Sequence, residues 1–319
     1  MTAAAQLAAT VGIAPALTAL NVPRATFYRR RGGLNYGPQP RKRSPRALVV
    51  AERQQVLDAL HSERFADKAP TEVYATLLDE GQYLCSMRTM YRVLADSKEL
   101  RERRDQLRHP AYWKPELLAT APNQVWSWDI TKLLGPAKWS YFYLYVILDI
   151  FSRYVVGWML AHGESTTLAK KLIGQTCGKE AIGPGQLTIH ADRGSAMKSH
   201  GLAEMLMDLG VTKTHSRPHV SNDNPYSESQ FKTMKYRPEF PARFGSYQDA
   251  HGFCGEFFGW YNCEHRHSGI GLMTPEAVHR GRSGAIYEAR QKTLTRAYEA
   301  NPERFVRKPP APPSLPSAS

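Results

Sequence analysis

KWSYFYLYVILDIFSRYVVGWML, residues 138–160, is aromatic and β-branched along most of its length and is interrupted once, at Asp149 to Arg153. Such residues fit a pleated, half-buried surface. Two runs of them around one polar break predict a long β-hairpin. Asp149 has a local job there, because an aspartate at a bend can accept a nearby backbone N–H in an Asx-turn. Upstream, NQVWSWDITK (123–132) alternates. Trp126, Trp128 and Ile130 point one way and Ser127, Asp129 and Thr131 the other, which predicts a strand with one apolar and one polar face. Downstream the pattern predicts a helix over 165–177, a short strand in QLTIHADRGS (186–195) and a helix over 199–209. A strand in VTKTHS (211–216), a helix over 225–238 and an aromatic helix over about 247–262 come next. Hairpin strands succeeded by alternating strands and helices predict a mixed sheet covered by helices.

Before residue 122 the texture is helical and basic. In ALTALNVPRATFYRRR (16–31) a short apolar helix, a turn at Asn21-Val22-Pro23 and a basic helix from Arg24 keep the order of a helix-turn-helix. Arg24, Thr26 and Arg29 are its candidate DNA contacts. A second such unit reads PTEVYATLLDEGQYLCSMRTMYRVLADSKELRERR (70–104). Gly81 ends its first helix and Ser86 caps the next. Met90, Val93 and Leu94 face inward there, with Arg88, Thr89 and Arg92 outward. Short helix pairs with outward arginines are also plain packing units. The charge favours DNA: residues 1–118 hold 19 Lys and Arg against 12 acids, leaving +7. The expected organisation is helix-turn-helix at 1–33, a basic Gly/Pro linker at 34–45, a second helix-turn-helix unit at 46–108 and a linker at 109–121. The α/β core occupies 122–282. The extension 283–319 ends in a tail with six prolines from Asn301 onward, expected to be disordered.

The chain has 319 residues, a net charge of +13 and an isoelectric point near 9.6. That excess points to a polyanionic partner, foremost nucleic acid. The longest clean apolar run, Tyr141 to Leu148, is far short of the ~20 residues a spanning helix needs. The N-terminus has no basic residue before Arg24 and so lacks the start of a signal peptide. A cytoplasmic protein without a membrane partner is expected. The four cysteines form no CxxC pair. HGFCGEFFGWYNCEHRH (251–267) gathers two Cys and three His, but the spacing fits no common zinc finger. No G-x-x-x-x-G-K-[ST] occurs, so no nucleotide cofactor is expected.

A basic protein that cuts DNA generally needs divalent metals, and hard cations need clustered carboxylates. Three acids stand on three different elements. Asp129 lies on the polar face of a strand, where an uncompensated carboxylate is costly. Asp192 ends a strand just before a glycine turn, where sites gather in α/β sheets. Glu228 opens a helix, and at about 100° per residue Asn224, Lys232 and Lys235 share its face. That face is either a solvated surface with a Glu–Lys pair or one edge of an active site. Sixty-two residues separate the two aspartates and 35 separate Asp192 from Glu228.

WSWDIT, HADRGS and SNDNPYSESQFKTMK (221–235), with that last interval, closely resemble the integrase core of retroviral integrases and of insertion-sequence transposases, the IS-three type above all. VILDIFSRYVVGW (146–158) and YNCEHRHSGIGLMTPEAV (261–278) match the same group, so the resemblance spans about residues 10–282. It implies a ribonuclease H-like core with a five-stranded mixed sheet. Asp129, Asp192 and Glu228 would be its catalytic acids, holding two Mg²⁺ ions, with Mn²⁺ able to substitute. Asn224, Lys232 and Lys235 would lie along DNA, and His190 would be a supporting residue behind the acids. His215 and His219 are expected on backbone or DNA. The stretch 217–226 lacks the glycine common before the Asp-Asn pair. The implied activity is metal-dependent 3′-end cleavage and strand transfer at terminal inverted repeats. The implied protein is bacterial and nucleoid-associated, a homo-oligomer bridging element ends and target DNA, with an upstream-frame product as a further partner. A nuclease without strand transfer and a DNA-binding regulator are the rival readings.

Overall fold

The computed structural model describes residues 2–31, 44, 46–66, 68–99, 118–191, 200–215, 224–305 and 308–316. They fall into two compact units, Met1–Ala47 and Leu48–Ser319.

The first unit holds α1 (Thr2–Val11), α2 (Ile13–Ala19) and α3 (Arg24–Arg31) around Ala4, Leu17 and Phe27. The turn between α2 and α3 forms where the sequence places it, with Asn21 at φ 50 and the Val22 N–H returning to Leu17 O. Helix α1 is not foreseen. Its alanine-rich TAAAQLAATV has the strongest helix former but no large apolar stripe to announce a face.

The second unit opens with α4 (Val50–His61), α5 (Pro70–Asp79) and α6 (Met87–Asp96). Gly81, at φ +79, comes just after α5, and Ser86 caps α6 by accepting the Thr89 N–H, as read from the sequence. Helix α4 is an addition. Its first turn is closed by Glu52, which accepts the Val49 N–H at 2.7 Å. Helices α4–α6 do not stand apart from the remainder of the second unit: Leu294, far down the chain, completes the cluster of Val56, Val73, Leu78, Met90 and Val93.

β1 (Val125–Leu134), β2 (Tyr141–Asp149), β3 (Val155–Ala161), β4 (Thr188–Ala191) and β5 (Thr212–His215) make one mixed sheet in the order β3-β2-β1-β4-β5. β1 runs antiparallel to β2, with Asp129 opposite Val146, and parallel to β4, with Trp128 opposite Ala191. The expected hairpin is β2–β3, with a register irregularity at Ile147/Leu148. Asp149 does turn its bend, though its bond runs to the third residue on: it accepts from Ser152 N at 2.7 Å and Ser152 Oγ at 2.6 Å. Its other oxygen accepts from Asn123 N at 2.7 Å, which ties the entry of β1 to the same bend.

Alternation along the strands creates two cores. Trp126, Trp128, Ile147 and Ile189 pack under α7 (Thr166–Lys179) and α8 (His200–Asp208). Leu133, Leu144, Val146 and Leu148 pack under α9 (Pro225–Lys235) and α10 (Tyr247–Cys263). Gly157 lets α7 approach β3 closely: a Cβ there would stand 2.3 Å from Thr176 Oγ1. Helix α9 stops three residues short of the expected 238.

After α10 come a 3₁₀ turn (Ser268–Ile270), α11 (Pro275–His279) and α12 (Ser283–Ala300). The proline tail, expected to be disordered, instead lies against the second unit. Arg304 bonds Glu52, the Phe305 ring lies 5.7 Å from that of Tyr83, and Pro310 O accepts from Gln291. Arg304 and Phe305 supply the anchors that a count of prolines overlooks. All four cysteines are free thiols. Among the described residues no group of three or more His, Cys, Asp or Glu is gathered as a metal site.

Candidate active site

The site is built on the polar face of β1. Ser127, Asp129 and Thr131 point away from the tryptophan core, toward α9. Ser127 is fully buried and takes two partners from the start of α9. Its Oγ donates to Asn224 Oδ1 at 2.5 Å and lies 2.5 Å from Ser227 Oγ. A serine has one hydroxyl proton, so Ser227 must be the donor in the second bond. Asn224 Nδ2 completes the clasp by donating to Trp128 O at 3.4 Å. Four residues along β1, Thr131 Oγ1 accepts from Lys235 Nζ at 2.7 Å. Both ends of α9 are therefore pinned to β1, and Asp129 stands between the pins.

Asp129 is partly buried, and its Oδ1 accepts from Ile130 N at 2.8 Å. Burial pushes the Lys235 ammonium down from the usual lysine range, and the Asp129 carboxylate lies close enough to push it back up. Glu228 is in the first turn of α9, one residue beyond Ser227, with its side chain 34% exposed and 4.0 Å from Lys232 Nζ. That helical pair exists as the simple surface reading had it, and it is weak. The N-terminal turn of α9 is further held by Arg153 from the hairpin bend, whose guanidinium lies 4.2 Å over the Tyr226 ring and bonds Ile150 O.

Asn224 departs from expectation. It is not one turn along the helical face from Glu228 but the residue before the helix, 1% exposed, with both ends of its amide engaged. It caps the turn that leads to Glu228, whose N–H bonds Asn224 O at 3.3 Å, while its side chain is spent on Ser127 and Trp128 O. His190 is buried on β4, with Nδ1 3.1 Å from Thr214 Oγ1. Asp192 and His219 lie outside the described residues, as does the side chain of His215. The last described rung between β1 and β4 is Trp128 with Ala191, and the next residues in sequence are Asp129 and Asp192.

Of the helix-turn-helix candidates, Arg24, Arg88 and Arg92 are exposed and Thr26 half-buried. Thr89 bonds Ser86 and Arg92, which leaves it a capping residue as much as a surface one. The Arg29 side chain is outside the described set. Sequence reading missed the Ser127–Asn224–Ser227 clasp and the Thr131–Lys235 bond. Their only trace was that small polar residues alternate with tryptophans along β1.

Integrase core domain models match residues 119–221 and 209–275. Together the two matches mark residues 119–275 as similar to an integrase core domain. The chain is 35% identical over 159 residues to the transposase for insertion sequence element IS904 of Lactococcus lactis, covering 50% of this chain and 62% of that protein. Against the putative transposase for IS986/IS6110 of Mycobacterium tuberculosis it is 26% identical over 270 residues, covering 79% and 94%. Transposase InsF for insertion sequence IS3A of Escherichia coli is 27% identical over 165 residues, covering 50% of this chain and 55% of InsF. The integrase core thus spans under two thirds of the IS904 and InsF proteins. Among solved structures, the HTLV-2 integrase catalytic core in complex with magnesium covers 50% of this chain and 97% of that one, with 18% identity and a TM-score of 0.35, too low to carry an argument. Among the described residues no helix is long and apolar enough to cross a membrane.

Proposed function

We propose that this chain is a DNA transposase. It binds the terminal inverted repeats of an insertion sequence, cleaves there to leave a 3′-hydroxyl, and joins that hydroxyl to another strand. The observation that carries this reading is Asp129 on the polar strip of β1, bracketed by two pins from the helix that bears Glu228 and Lys235. An aspartate on a packed strand beside a partly buried lysine is a poor stability device and a good place for a phosphate and its counter-ions.

Asp129 and Glu228, with Asp192, offer carboxylate oxygens, the donors that a hard divalent cation such as Mg²⁺ takes. Bound there, such cations would activate the attacking oxygen and offset charge at phosphorus. The chain's own residues do the positioning. The Ser127 clasp fixes the rotation of α9, and with it the direction of Glu228. Lys235, held by Thr131, sets a positive charge beside the Asp129 carboxylate to meet a phosphate. Lys232, with its side chain 62% exposed, suits a non-bridging phosphate oxygen. Arg24, Thr26 and Arg29 in the first helix pair, and Arg88, Thr89 and Arg92 in the second, read the element end. Two ends must be joined in one event, so the working form is a homo-oligomer bridged by DNA.

The test is Glu228→Gln in the full chain, assayed on duplexes carrying the element's ends with Mg²⁺. Binding should be retained while nicking and strand transfer both vanish. Cleavage equal to that of the unaltered protein would end the catalytic assignment, and nicking without joining in the unaltered protein would reduce it to a nuclease.

A further inference from the structure

Trp139 is 76% exposed at the tip of the β1–β2 turn and has φ +69. That backbone region is disfavoured for an L-residue. A large indole held out in water adds to the cost. Neither comes from slack in the loop. Gly135 N bonds Ser140 O at 2.9 Å, Ser140 N bonds Ala137 O at 3.1 Å, and Ser140 Oγ closes on both polar groups of Ala137. Arg243 reaches across from the segment after α9 and donates to Gly135 O at 2.9 Å and to Ala137 O at 3.0 Å. The turn is tight: a Cβ on Gly135 would stand 2.6 Å from Ser140 Oγ. The fold presents this indole outward on a rigid mount.

The surroundings are cationic and aromatic. Lys138 Nζ lies 5.5 Å from the Trp139 ring, and Lys132 Nζ lies 5.6 Å and 5.4 Å from the rings of Tyr141 and Tyr143. Residues 132–143 contain two cations and no acid. In the facing stretch 229–243 the one acid, Glu239, is already paired with Arg237 at 3.0 Å. An exposed aromatic ring in a stretch of cations without free acids suits a strand of nucleic acid.

We infer that Trp139 is a stacking platform for an unpaired base of the DNA strand that runs along β1 away from the carboxylate site. This rests on the DNA reading above. Asp129 and the end of β1 at Leu134 are five residues apart, about 17 Å at strand rise. A DNA strand advances about 3.4 Å per nucleotide. The platform stands beyond that strand end, so it meets a base several nucleotides from the phosphate under attack. Lys138 and Arg243 hold the flanking phosphates.

The experiment uses the full chain, with a blunt duplex and the same duplex carrying a single-stranded tail as probes, read by fluorescence anisotropy. Trp139→Ala should weaken binding of the tailed duplex roughly five- to 150-fold, the range of one base–aromatic stack, and leave the blunt duplex little changed. Trp139→Phe should restore most of the loss, with circular dichroism checking that each variant folds. Equal affinity of Trp139→Ala and the unaltered protein for the tailed duplex would overturn this inference alone. So would a loss equal on both probes and not rescued by phenylalanine. If the unaltered protein bound neither probe, the DNA reading and this inference would fall together.

Discussion

His267 shows how one buried side chain can set a pH limit on the fold. It sits between the His265 ring, 4.5 Å away, and the Arg153 charge, and burial with these neighbours holds it down to about 3. In the unfolded chain it titrates near 6.5. The folded state thus keeps it neutral while the unfolded state gains a proton, so its contribution is intact above pH 6.5 and drains away as pH falls toward 3. Between pH 7 and 5 this amounts to up to about 2 kcal/mol. Denaturant midpoints measured at both pH values should fall less for His267→Gln than for the unaltered protein; parallel falls would show that the imidazole is not kept neutral. Asp149 is the opposite case at this scale. Burial pushes its carboxyl up, while the bonds from Ser152 and Asn123 and the nearby His279 pull it back, leaving it a structural tie rather than a free acid.

Helices α5 and α12 meet through a buried ion pair. Arg290 is 0% exposed, with Nε 2.6 Å from Asp79 Oδ1 and Nη2 3.2 Å from Asp79 Oδ2. Two further N–H groups donate to Gly271 O and Leu272 O, and Arg266 adds a second cation to Asp79 at 2.5 Å. Replacing one partner leaves a buried charge uncompensated, which costs about 3–5 kcal/mol. Asp79→Ala should lose about that much in urea unfolding, and Arg290→Met in the same background should recover part of it. Strict additivity of the two changes would mean that the pair is not coupled. The physical consequence is that α4–α6 cannot swing freely on the core.

On the DNA reading proposed above, the +13 charge of the whole chain supplies a sequence-independent share of the affinity. Each phosphate neutralised steepens the fall of log K with log salt by about 0.9 on duplex DNA. Lys232→Ala with Lys235→Ala should therefore flatten that slope by about 2. An unchanged slope would remove both lysines from the DNA path. The pair is unequal in structure: Lys235 is anchored to Thr131, whereas the Lys232 side chain is 62% exposed. Lys235→Ala alone should cost cleavage as well as binding, and Lys232→Ala mainly binding.

The order of strands and helices from 125 to 263, the two faces of β1 and the acids that stand on them are all legible in the residues alone. Those features are local. Alternation, turn residues and caps act over a few positions, and Trp126, Gly81 and Ser86 each announced their place. Charge pointed to a polyanionic partner, the class that the proposed function takes up. Long-range packing settled the rest, because the deciding contacts join distant residues. Asn224 looked like part of a helical face until its amide met Ser127, 97 positions away. The proline tail looked solvated until Arg304 found Glu52, and α4–α6 looked separate until Leu294 and Arg290 closed on them. No local pattern records such a contact, since each partner alone reads as an ordinary polar or apolar residue and only the fold brings the two together.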